Sequence, residues 1–181
     1  MKNWRNPLGL LGVGPFYVIP CLLATLLGLR RYGRSPLGRR GGALVLIPLG
    51  LVAILAGLAL WVKTVIFQRV MADIKADRLV TEGTYAYCRH PIYAAFLFLL
   101  TGLLVLAGNP ILAPLPVLFW LYGTLLLKYT EERWLADRYG PAYTGYCRAV
   151  NRFIPRPRQL SRGMKNKLKK SDKKVKLAID N

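Results

Sequence analysis

The residues best suited to chemistry fall in two short clusters, each set against an apolar run. Arg89-His90-Pro91-Ile92-Tyr93 stands where a polar segment enters the run 92–109, and Glu131-Glu132-Arg133-Trp134 stands where the run 111–129 ends. Ionisable side chains at the edge of such a run are costly to desolvate, so their presence points to a site. A guanidinium, an imidazole and a phenol beside two carboxylates can hold a ligand carrying charges of both signs. Carboxylates and aromatic faces suit a cationic ligand group in particular. The plainer reading of each cluster is structural. Arg89 and His90 would reach toward an interface while Pro91 opens a helix at its favoured first-turn position, and the carboxylates would belong to an ion-pair network.

Other chemistries are poorly supplied. His90 is the single histidine, and with Cys88 it offers two ligands where tetrahedral zinc takes three or four, so no metal is expected. Cys88 and His90 also lack a third group that would orient them as nucleophile and base. The three cysteines, Cys21, Cys88 and Cys147, are odd in number and widely spaced, which predicts free thiols facing a reducing compartment.

A helical hairpin is what must position the two clusters. Asn109-Pro110 joins the runs 92–109 and 111–129 directly, which predicts two antiparallel helices with both clusters at the same end and the same membrane face. Lys128, Glu131, Glu132 and Leu135 share neighbouring helical faces by their three- and four-residue spacing. The segment 139–155 would roof a polar pocket there.

Two further runs, 8–29 and 43–67, precede the hairpin, and crossing the hydrocarbon core takes about 20 residues. The expectation is an all-α integral membrane protein of about four transmembrane helices. Residues 1–67 form the first two, 68–160 the catalytic hairpin and cofactor-binding region, and 161–181 a basic, disordered tail. Within the link between the second and third runs, Asp73 to Leu79 reads as a surface segment and Gly83 as a turn.

The chain has 181 residues, 54% hydrophobic, yet a formal net charge of +19. The charges collect between and after the apolar runs, which argues against a soluble bundle. Most lysines and arginines lie in the 68–91 link and after residue 129, placing those parts and the C-terminus in the cytoplasm. The five arginines of the 30–42 loop would then fall on the opposite side, unless Pro15 and Pro20 break the first run into a non-spanning or re-entrant segment. The lysine-rich tail suits anionic lipid. Without interleaved aromatic residues it gives no platform for stacking bases, so no nucleic-acid partner is expected.

One pattern runs through the second half of the chain. It reads Gly83-x-Tyr85-x-Tyr87-x-Arg89-His90-Pro91-x-Tyr93, the apolar hairpin, Glu131-Glu132, Tyr139-Gly140-x-x-Tyr143-x-x-Tyr146, and Arg152-Phe153-Ile154-Pro155. This order of blocks, over residues 79–155, resembles the isoprenylcysteine carboxyl methyltransferases, a group that includes phospholipid N-methyltransferases. Their glycine two residues after the tyrosine of Arg-His-Pro-x-Tyr is replaced here by Ala95, whose methyl would tighten helix or cofactor packing.

The resemblance implies a membrane enzyme using S-adenosylmethionine on a lipophilic acceptor that enters from the bilayer, with the active site on the cytoplasmic face, in a bacterial inner membrane. It implies that Tyr87, His90, Pro91, Tyr93, Glu131, Glu132 and Tyr143 contact the cofactor. Arg89, His90 and Arg152 would serve catalysis, and Tyr146 and Arg148 the acceptor. The glycine-rich loop of soluble methyltransferases is missing, since Gly9, Gly12 and Gly14 lie within an apolar run. Two alternatives stand beside this reading: an NADPH-dependent sterol-type reductase, whose 2′-phosphate would ask for an arginine cluster, and a non-enzymatic membrane scaffold.

Overall fold

The computed structural model describes residues 14–32, 43–67 and 79–155; the tail, most of the 30–42 loop and the segment from Asp73 to Arg78 lie outside them. Among the described residues every named element is helical. The order is α1 (Gly14–Tyr32), α2 (Ala43–Val62) ending in a π-helical turn (Lys63–Phe67), a 3₁₀ turn (Gly83–Ala86), α3 (Pro91–Ala107), a second 3₁₀ turn (Pro110–Leu112), α4 (Leu115–Tyr129), α5 (Glu131–Tyr139) and α6 (Pro141–Ala149).

Pro91 sits in the first turn of α3, where its missing N–H costs nothing. The helix stops at Gly108, whose left-handed backbone (φ 61°) suits glycine. Asn109 Oδ1 then accepts the Ile111 N–H at 3.0 Å, and Pro110 opens the turn that reverses the chain. The expected hairpin of α3 and α4 follows from these four residues.

The broadest packing in the molecule joins α2 to α3. A Cβ at Gly57 would stand 2.8 Å from the Ala95 carbonyl, and one at Gly102 would stand 2.7 Å from the Gly50 carbonyl. Gly50 lies against Gly102 and Gly57 against Ala95, so the helices run antiparallel with backbones in close approach, as small residues permit in a bilayer. Ala95 is fully buried on this seam. Gly57 makes room opposite for the Ala95 carbonyl.

Pro15 and Pro20 do not break the first run: α1 is continuous through both. A proline at position 20 leaves the carbonyl of Phe16 without its helical donor. The Tyr122 hydroxyl donates to that carbonyl at 2.7 Å, so the lost bond is replaced from α4.

Two helical stretches are long and apolar enough to cross a bilayer, Leu44–Phe67 and Pro110–Tyr139, and α3 is a shorter apolar helix. Only 11% of the most apolar window of the first is buried within the protein, which separates it from the core helix of a soluble fold. Its outward side chains include Leu44, Val45, Val52 and Leu55. An apolar surface of this extent needs lipid or another partner against it.

Candidate functional site

The hairpin brings the N-terminus of α3 and the C-terminus of α4 to one end, and there the two charged clusters meet. The spacing from Lys128 to Leu135 does not describe one unbroken helix, however. At Thr130 the backbone (φ −117°, ψ −81°) leaves helical geometry, and α5 starts anew at Glu131. Lys128 stays outside, over the Tyr129 ring at 5.6 Å, away from the carboxylates. The two glutamates occupy the first turn of α5, where the helix dipole favours negative charge, and Arg138 occupies its last turn.

A backbone clip closes the site. The Arg89 N–H donates to the Asn151 carbonyl at 2.8 Å and the His90 N–H to the Arg152 carbonyl at 3.1 Å. Cys88 and Asn151 thereby form a short parallel bridge. This pairing draws the chain after α6 against the entry to α3 and sets Arg152 beside Arg89 and His90.

Glu132 is the centre of the cluster. Arg152 donates from Nε to Oε1 and from Nη2 to Oε2, both at 2.7 Å, a two-pronged pairing for which the planar guanidinium is suited. Arg89 Nη1 lies 3.4 Å from Glu132 Oε1, and His90 Nε2 lies 3.3 Å from the same oxygen. His90 Nε2 is buried and makes no well-formed hydrogen bond among the described residues. Hydrogen bonding to Glu132 holds the Arg152 guanidinium above its ordinary pKa.

Glu131 is more open, with 27% of its side chain exposed. It accepts one hydrogen bond, from the Tyr93 hydroxyl at 2.9 Å, and its other oxygen lies 3.9 Å from His90 Nδ1. The His90 ring meets Tyr93 edge-on at 5.7 Å. Arg89 Nη1 also donates to Cys147 Sγ of α6, and Tyr143, on the same helix, is buried with its hydroxyl unbonded among the described residues. Burial pushes the Tyr143 and Tyr146 phenols well above their usual range. Burial likewise pushes the Cys88 thiol up to about 12, so it stays protonated and is a poor nucleophile.

Of the residues singled out in the sequence, Arg89, His90, Tyr93, Glu131, Glu132 and Arg152 are brought into mutual contact, with buried Pro91 opening α3 beneath them. Tyr143 lies beside them through α6. Tyr146 is buried, and its hydroxyl is taken by the Tyr85 carbonyl at 2.6 Å, which ties α6 to the 3₁₀ turn before the motif. Tyr87 and Arg148 are exposed and make none of these contacts. The sequence reading missed Cys147 and Tyr17. Tyr17 comes from α1 and packs on Tyr93 with ring centroids 5.6 Å apart; an aromatic residue inside an apolar run carries no signal of its own.

A family profile described as phospholipid methyltransferase matches residues 42–142, more than half of the chain. Among curated proteins the chain is similar to protein-S-isoprenylcysteine O-methyltransferase B of Arabidopsis thaliana, 37% identical over 79 residues, which are 43% of this chain and 40% of that protein. It is also similar to the protein-S-isoprenylcysteine O-methyltransferase of Schizosaccharomyces pombe, 36% identical over 82 residues, 45% of this chain and 34% of the relative. The cobalt-zinc-cadmium resistance protein CzcN of Cupriavidus metallidurans is 35% identical over 83 residues, 45% of this chain and 38% of that protein. The matches span well under half the length of each of these relatives. No solved structure matches the chain.

Proposed function

The chain belongs to the phospholipid methyltransferase family, and from that membership we propose that it transfers a methyl group from S-adenosylmethionine to a lipophilic acceptor held in the membrane. The acceptor class that the relatives' names favour is an isoprenylcysteine-type carboxylate. A related oxygen, sulfur or amine acceptor on a lipid is the wider class. The observation that carries the reading is the convergence of Arg89, His90, Tyr93, Glu131, Glu132 and Arg152 at one end of an apolar hairpin.

The unbonded donors fit the methyl donor. Among the described residues, Arg89 Nε is buried without a bond, and so are His90 Nε2 and the Tyr143 hydroxyl. Buried polar atoms left unbonded cost stability, which makes them natural partners for a polar ligand. In this proposal Arg89 and His90 hold the carboxylate of the donor's amino-acid end, and Glu131 takes its ammonium or ribose hydroxyls. The faces of Tyr93 and Tyr143 suit a sulfonium. Glu132, already held by two arginines, acts by keeping Arg89 and Arg152 in place. When bound, S-adenosylmethionine supplies an electrophilic methyl for in-line displacement.

The protein's own work is then alignment and exclusion of water, worth up to about 7–11 kcal/mol when geometry is ideal. A carboxylate or thiolate acceptor needs no base. An amine would have to lose a proton, and beyond His90 and the glutamates the site offers no base to receive it. We also propose four membrane spans, α1 to α4, with this site and the C-terminus facing the cytoplasm and the basic tail on anionic lipid.

The test is methyl transfer by the full-length protein in detergent or vesicles. Labelled S-adenosylmethionine would be supplied with a farnesylated cysteine derivative or with phosphatidylethanolamine. Label appearing in the farnesylcysteine ester, and lost in a folded His90→Ala variant, is the expected result. A fully active His90→Ala enzyme would reduce the Arg-His-Pro segment to a helix start.

A further inference from the structure

We infer that Tyr17, on a helix that precedes the region matched by the family profile, is a positioning residue for the donor side of the site, acting through Tyr93 on Glu131. The inference rests on the methyltransferase reading above and extends it to α1. Tyr17 is fully buried. One side of its ring meets Tyr93, at 5.6 Å between centroids and tilted by 59°, and Tyr122 stacks against it at 6.1 Å and 17°. Tyr93 in turn donates its hydroxyl to Glu131 at 2.9 Å. A continuous line of contacts thus leads from α1 to the carboxylate proposed to take the donor's cationic end.

The ring has been given space. A Cβ at Gly123 would stand 2.7 Å from Tyr17 Cε2 and 3.2 Å from Phe153 Cζ, so α4 carries a glycine where Tyr17 and Phe153 converge. Phe153 directly follows Arg152, the partner of Glu132. The register of α1 is also set locally. Pro20 frees the Phe16 carbonyl, and the Tyr122 hydroxyl captures it at 2.7 Å. Tyr122 therefore grips α1 twice, by that carbonyl and by the neighbouring ring of Tyr17, which fixes both the height and the rotation of the helix.

The Tyr17 hydroxyl makes no hydrogen bond among the described residues. The effect is therefore assigned to the ring, and phenylalanine is the conservative replacement. A packed aromatic neighbour restrains the Tyr93 ring, and through it the phenol that orients Glu131.

The experiment is a double-variant cycle on the full-length protein in detergent. It reads S-adenosylmethionine affinity by calorimetry and melting temperature in parallel. Tyr17→Leu and Tyr93→Phe are each expected to weaken the donor about tenfold, and the double variant to be no weaker than either alone, because the two act along one line. Tyr17→Phe should bind as the wild type does. Losses that multiply in the double variant would overturn the inference. So would a Tyr17→Leu protein that melts lower yet binds normally, or a Tyr17→Phe protein as weak as Tyr17→Leu. If Tyr17→Leu does not fold, Tyr17→Met fills similar space without a ring and is read the same way. A wild type that binds no donor removes the methyltransferase reading and this inference together. A wild type that binds beside an unaffected Tyr17→Leu removes this inference alone.

Discussion

Glu131 and Glu132 are adjacent in the chain and differ in what surrounds them. Glu132 is enclosed by Arg89, His90 and Arg152, whereas Glu131 has a single hydrogen bond and is partly open. Neutralising them should therefore do different things. Glu132→Gln leaves two partly buried guanidinium groups without their counter-charge and is expected to cost about 3 kcal/mol of stability, read in thermal or denaturant unfolding. Glu131→Gln should fold normally and weaken S-adenosylmethionine about tenfold, roughly 1.4 kcal/mol. Equal melting temperatures for the two variants would contradict the distinction, and unchanged donor affinity in Glu131→Gln would remove that residue from the site.

Between the elements, two glycines do separate kinds of work. Gly140 joins α5 to α6 with φ 52° and ψ −128°, and a Cβ there would meet nothing within 4 Å. Gly140→Ala should accordingly cost about 1–3 kcal/mol from backbone strain alone. Gly57 is an ordinary helical residue whose missing Cβ admits the backbone of α3, so Gly57→Val should cost about 1–3 kcal/mol through overpacking. The atom closest to that Cβ is the Ala95 backbone carbonyl, which no smaller side chain on α3 would withdraw, and detergent-phase melting curves read the loss in each variant. The hairpin was readable beforehand because Pro91, Gly108, Asn109 and Pro110 act locally, each through its own backbone preference. So was the meeting of Arg89 and His90 with the two glutamates, which follows from reversing the chain at Asn109-Pro110. The break at Thr130 and the unbroken course of α1 through Pro20 were not. The course of α1 depends on a distant partner, Tyr122, and spacing along the chain carries no record of it. Nor could spacing reveal the backbone clip that brings Asn151 and Arg152 to Arg89 and His90.

At the scale of the whole molecule, charge and apolar surface are segregated. The outer face of α2 is apolar and largely uncovered, while the polar contacts gather at one end of the α3–α4 hairpin. The protein is therefore expected to stay with the membrane pellet through an alkaline carbonate wash; release into the supernatant would contradict a spanning arrangement. A site at the membrane's edge suits a reaction between a water-soluble methyl donor and an acceptor that stays in the bilayer. In the proposed reaction the ionic cluster holds S-adenosylmethionine. The most direct measurement is a calorimetric titration of the detergent-purified protein with that donor, run beside NADPH. Saturable binding of S-adenosylmethionine alone, weakened in Glu131→Gln, is the predicted result. Binding of NADPH alone, or of neither ligand to a folded protein, would contradict it.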